Sequence, residues 1–116
     1  MARKYPEDNL QMAVASYLDY LGLTWMHVAN ERRTTLRAGA RLKKKGVKAG
    51  VPDVIVFEPK GRYNGLAIEL KIKGNYMSQA QKGWFTMLKL KKWHCQVCYD
   101  FDEAQIVIDE YLEKKV

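Results

Sequence analysis

Two stretches dominated by Val, Ile and Leu, VPDVIVF from residue 51 and GLAIELKIK from residue 65, carry charges where buried strands normally hold none. Both are short and β-rich, and PKGRYNG between them has the Pro, Gly and Asn of a hairpin, so they read as neighbouring strands. Alternate residues of a strand face opposite ways, which puts Glu69 and Lys71 on one face and Ile68, Leu70 and Ile72 on the other. We expect one apolar face of the sheet and one face that carries chemistry. With 116 residues, the chain has room for one core and is expected to form a single domain over 1–116.

Two charges inside a short strand cost on the order of several kcal/mol unless something compensates them, and pairing with each other meets only part of that demand. A divalent cation is an economical solution. Asp53, at the start of the first strand, and Glu69 offer the hard oxygen donors that Mg²⁺ or Mn²⁺ prefers, and positions remain for water and a phosphate oxygen. Lys71 is then placed to orient that water or to stabilise developing negative charge. Read separately, the same residues are ordinary: an ion pair on a sheet face for Glu69 and Lys71, a turn cap after Pro52 for Asp53. It is the combination across a hairpin that points to chemistry.

The other elements follow from periodicity. Leu10, Val14, Tyr17, Leu18 and Leu21 recur at helical spacing between Pro6 and Gly22. Glu7, three residues before Leu10, falls on the inward side of that helix. TWMHVAN reads as a strand, AGARLKKKG as part helix and part loop. Ser78 opens a helix to about Lys92, HCQVCYD is a strand, and Ala104, Val107, Ile108, Tyr111 and Leu112 mark a last helix. The predicted order is αβ(α)ββαβα, an α/β fold with a central mixed sheet flanked by helices.

Charge is concentrated. Arg32, Arg33, Arg37, Arg41, Lys43, Lys44, Lys45 and Lys48 fall in 17 residues without an acid; taking these eight from the 20 Lys and Arg leaves 12 against 13 Asp and Glu. A local basic stretch on a near-neutral domain is the footprint of phosphate contacts, or simply a solvated face. Cys95 and Cys98 form a C-x-x-C, but three residues apart on a strand they face opposite sides, so small core residues are the better reading than zinc or redox chemistry. No apolar run reaches membrane-span length, and MARKYPEDNLQ lacks the apolar stretch of a signal peptide, so a soluble cytoplasmic protein is expected.

GVPDVIVF followed by AIELKIK resembles the PD-(D/E)XK nuclease signature, with Pro52 and Asp53 as its PD and Glu69, Leu70 and Lys71 as its E-x-K. More narrowly the chain resembles the VRR-NUC family: HVANERR leads into the basic stretch, GVKAGVPD carries the glycine-flanked PD, and SQAQKGWFTML is an S-x-x-Q helix. The resemblance implies a restriction-endonuclease-like core and a metal-dependent endonuclease acting on DNA. It implies Asp53 and Glu69 as metal ligands with the Leu70 carbonyl, and Glu7 as a further ligand or acceptor for metal-bound water, with Gln11 one turn on. It also implies Lys71 as the catalytic lysine and Gln81 as a glutamine facing the site. One departure is Cys98, which stands where the family's namesake motif has an arginine.

From the resemblance we further expect branched or flapped DNA as substrate, four-way (Holliday) junctions included, a homodimer, no nucleotide cofactor, and a bacterial or phage-infected cell as setting. The alternative is a non-catalytic nucleic-acid-binding module that uses residues 32–48 alone. Several positions carry more than one reading at this point. Gln81 is the N3 residue of a capping box or a site residue. His27 and Asn30 are strand-end hydrogen-bonders or family positions, and Trp84 and Phe85 read as core rather than as base-stacking platforms.

Overall fold

A computed structural model describes residues 6–29 and 35–115. Helix α1 spans Pro6–Tyr20 and buries Leu10, Val14 and Leu18, each one turn apart, as the periodicity predicts. It ends at Gly22, whose φ of +72° is open to glycine; the Leu23 N–H donates back to the Leu18 carbonyl. Strand β1, Trp25–His27, is shorter than the seven residues expected. Helix α2, Leu36–Lys44, begins at Thr35, whose hydroxyl accepts from the Ala38 N–H at 3.0 Å. No residue of α2 is buried.

Strands β2, Val54–Val56, and β3, Gly65–Leu70, pair antiparallel as the hairpin requires, with Val54 opposite Ile68. Lys60 and Tyr63 exchange backbone hydrogen bonds across the turn. Helix α3, Gln79–Leu90, then carries the chain to strand β4, Trp93–Cys98, which runs parallel to β3. Helix α4, Phe101–Leu112, starts at Asp100, whose carboxylate accepts from the Glu103 N–H at 2.8 Å. The sheet order is β1-β2-β3-β4. This is the predicted αβ(α)ββαβα arrangement, a mixed sheet with helices around it.

The expectation of one apolar face and one chemical face needs correcting. On one side Leu66, Ile68 and Leu70 join α1 and α4 in the main core with Val14, Leu18, Ala104, Ile108 and Tyr111. The other side is covered too: Ala67, Phe85 and Cys95 form a second cluster beneath α3. The reason is topological, since a parallel β3–β4 pair needs a crossover and the crossover helix lies on that face. The charged side chain of β3, Glu69, is therefore confined to the end of that face. Here β3 also stops at Leu70 rather than running on to Lys73, although one more bond, from the Lys71 N–H to the Cys98 carbonyl, extends the pairing.

Cys95 and Cys98 divide between the two clusters, as the strand period requires, and burial pushes their thiols up to about 11 and about 12. Buried thiols held protonated in this way suit the reading of small core residues. An arginine at position 98, which the resemblance leads us to expect, would place a charge in a fully buried position here. Trp84 departs from the core assignment: it joins neither cluster and instead donates its indole N–H to the Ala49 carbonyl at 3.0 Å. Among the described residues no helix is long and apolar enough to cross a membrane.

Candidate active site

A cleft of about 800 Å³ opens where the C-terminal end of β3 meets the start of β2. Glu7 and Gln11 of α1, His27 of β1, Asp53, Glu69, Leu70 and Gln81 line it on the sheet side. Gly39, Leu42 and Lys43 of α2, with Val47 and Lys48 after it, line the opposite wall. Residues scattered over 75 positions of sequence thus share one space.

Asp53 stands immediately before β2 and is held from several directions. Its Oδ2 accepts the Leu70 N–H at 2.8 Å, linking the ends of the two strands. Its carbonyl accepts the Val28 N–H at 2.8 Å and lies 2.9 Å from His27 Nδ1. Because a carbonyl can only accept, His27 Nδ1 is the donor in this bond. His27 thus makes the strand-end hydrogen bond considered for it and also lines the cleft. Asn30 lies outside the described residues.

Glu69 is 3% exposed, the buried charged residue of β3. Its Oε2 accepts from Gln81 Nε2 at 3.0 Å and lies 3.7 Å from Lys71 Nζ. Burial above all, and then the neighbouring Asp53 charge, pushes this carboxyl up to about 8 from 4.5; Lys71 opposes the rise and Glu7 adds slightly to it. Lys71 does not line the cleft itself and reaches the site through its ion pair with Glu69.

Gln81 settles the alternative posed for it by performing both tasks. Its Oε1 accepts the Ser78 N–H at 2.8 Å and its own N–H donates to Ser78 Oγ at 3.2 Å, completing the capping box that opens α3. The other end of the same amide holds Glu69. Sequence spacing shows the cap; the donation to Glu69 depends on how α3 lies over β3, which spacing does not encode. Two further features went unforeseen. Asp8 also lines the cleft. The Trp84 tether secures the loop behind α2, aided by Gly50, whose φ is +85° and where a Cβ would lie 2.6 Å from the Ala80 backbone.

Does this donor set suit a divalent cation? Glu69 Oε1 is buried and has no hydrogen-bond partner among the described residues, and neither does Gln11 Nε2. A buried carboxylate oxygen left unpaired beside a second carboxylate is a costly arrangement that a cation relieves. Among the described residues no three His, Cys, Asp or Glu side chains close into a cage, and Glu7 lines the cleft without forming a third ligand with Asp53 and Glu69. One or two carboxylates with open positions is the manner in which Mg²⁺ is commonly held, so the residues fit.

The basic stretch divides. Lys43 and Lys48 face the cleft, Arg37, Arg41, Lys44 and Lys45 are exposed elsewhere on α2 and its C-cap, and Arg32 and Arg33 lie outside the described residues.

Comparison with known proteins gives a consistent picture. The profile of the VRR-NUC domain matches residues 5–101. A solved structure of a VRR_NUC domain protein superimposes with a TM-score of 0.80 at 29% identity, covering 98% of this chain and 93% of that one. A second VRR_NUC domain, 18% identical, superimposes with a TM-score of 0.62 over 90% of this chain and 96% of that one, a likeness of fold. No curated protein matches the chain.

Proposed function

Because the chain belongs to the VRR-NUC family, nucleases of the restriction-endonuclease-like superfamily, we propose that it is a Mg²⁺- or Mn²⁺-dependent endonuclease that cuts branched or flapped DNA, four-way junctions included. The observation that carries the reading is the juxtaposition of Asp53 and Glu69 in one cleft, with Glu69 Oε1 unpaired and Lys71 beside it.

Asp53, Glu69 and the Leu70 carbonyl would hold the metal, which when bound supplies Lewis acidity toward a phosphate oxygen and lowers the pKa of a bound water. Hydrolysis adds water across one bridging P–O bond and leaves a phosphate end and a hydroxyl end. The chain's own residues arrange that event. The Leu70 N–H holds the Asp53 carboxylate, the Val28 N–H and His27 hold the Asp53 carbonyl, and Gln81 fixes Glu69. The Lys71 ammonium stabilises negative charge on the phosphate and orients the attacking water. Glu7 accepts from water at the cleft wall, and Lys43 and Lys48 grip neighbouring phosphates.

One active site per chain and two strands to cut favour a homodimer, in which two-fold symmetry supplies paired sites. The cytoplasm of a bacterial or phage-infected cell provides the substrate. The test is cleavage of labelled four-way-junction, flap, linear-duplex and single-stranded DNA with Mg²⁺, Mn²⁺ or EDTA. Metal-dependent cuts, strongest on junction or flap, support the proposal. Binding without cleavage under any metal would transfer the function to a nucleic-acid-binding module.

A further inference from the structure

Helix α2 is unlike every other helix in the molecule. It buries no residue, its first residue Leu36 is 96% exposed, and it stands as a free wall of the cleft. Its cleft side is formed by Gly39, Leu42 and Lys43. Arg37, Arg41 and Lys44 follow one another at spacings of four and three, so they form a single stripe along the helix. At 3.6 residues per turn that stripe is centred about 180° around the axis from the cleft side. All three are exposed, α2 contains no acid, and among the described residues no carboxylate is paired with them.

We infer that α2 is a two-sided phosphate grip: Lys43 and Lys48 hold the strand that lies in the cleft, and Arg37, Arg41 and Lys44 hold a second arm of the same branched DNA. A helix with its side chains is about 10–12 Å across, so the two sides engage phosphate rows separated by one helix diameter. Charge on the far side lies about one Debye length, roughly 10 Å at 0.1 M salt, from the strand in the cleft and is largely screened from it. Its full effect requires a second backbone beyond α2, as where two duplex arms diverge. The residues that read as one basic stretch in sequence thus separate into a cleft grip and a branch grip.

The identity of the strand in the cleft rests on the nuclease reading, but the test is made by binding in EDTA and is decided whether or not the protein cuts. Anisotropy titrations with a four-way junction and with a linear duplex of matched arm sequence give the dependence of affinity on salt. Each phosphate contact contributes a slope of about 0.9, so the junction is expected to show a slope steeper by about 3 than the linear duplex. Arg37→Ala/Arg41→Ala/Lys44→Ala removes that difference, whereas Lys43→Ala/Lys48→Ala lowers both slopes together by about 2. Arg37→Lys/Arg41→Lys keeps charge on the stripe and keeps the difference. Alanine favours helix on an unpacked surface, so the triple variant retains its fold, with circular dichroism as the check. Equal slopes for the two DNAs in the wild type would overturn the inference, because α2 would then sit within one duplex. So would a triple variant that weakens both DNAs equally.

Discussion

Strand β3 is buried along all six residues yet carries Glu69, whereas helix α2 buries none of its nine and carries four basic residues. Charge in the first place opposes folding, since Glu69 loses its water and gains only Gln81, Lys71 and a negative neighbour. Charge in the second place costs the fold almost nothing. A residue retained against a folding penalty is best explained by chemistry, and residues retained at no penalty by contact with a partner. The two regions should accordingly respond to substitution in opposite ways.

The largest separation is expected from Lys71→Ala. Loss of one preorganised charge at a reacting phosphate costs on the order of 100- to 1,000-fold in rate, so cleavage falls by that factor while DNA binding, measured by anisotropy, changes little. Next comes stability. Ile68→Ala, on the core face of β3, removes buried methyl groups and is expected to cost about 2–5 kcal/mol in chemical denaturation, against less than about 0.5 kcal/mol for Arg41→Ala on α2. Similar losses at the two positions would erase the contrast.

A smaller effect sharpens the account of Gln81. Gln81→Glu keeps an oxygen for the Ser78 N–H but replaces the donor to Glu69 with a negative charge. Cleavage should drop at least about tenfold, the worth of one hydrogen bond to a charged group, and by more than the accompanying loss of thermal stability accounts for. A loss of stability in proportion to activity would make Gln81 a cap and nothing more.

The last effect is on pH. Glu69 binds its proton more tightly folded, up to about 8, than unfolded, near 4.5, so its contribution to stability is full below 4.5 and is lost as pH rises through 8. Burial of His94 works the other way, lowering its proton affinity and favouring the folded state as pH rises. The difference between wild type and Glu69→Gln isolates the first term: without metal, the variant gains on the wild type from pH 5 to pH 8 in urea melts.

Much of this was legible in the sequence because it depends on period and on residue type. The run IELK shows alternation, the apolar spacing of α1 and α4 shows their buried faces, and PD with E-x-K across a hairpin points to residues that share one cleft. What escaped the sequence depends on where elements lie relative to one another. Period two shows that Ala67 and Glu69 share a face, but only the crossover to β4 covers that face with Phe85. The capping box locates Gln81, but only packing of α3 brings its amide to Glu69. Spacing on α2 shows a basic stripe, but only the cleft shows that Lys43 faces one way and Arg37, Arg41 and Lys44 the other. The Trp84 indole, an aromatic among aromatics in sequence, becomes a tether because Ala49 lies beside it.

The central claim is that Asp53 and Glu69 form a metal-dependent hydrolytic site that burdens the fold it sits in. The most direct measurement is single-turnover cleavage of a four-way junction at pH 8, with Mg²⁺ or EDTA, by the wild type and by Glu69→Gln, alongside the melting temperature of each without metal. The account predicts cleavage by the wild type with Mg²⁺ alone, a variant at least about 100-fold slower, and a variant that melts no lower than the wild type. Cleavage by the variant at the wild-type rate, or by the wild type in EDTA, would contradict it.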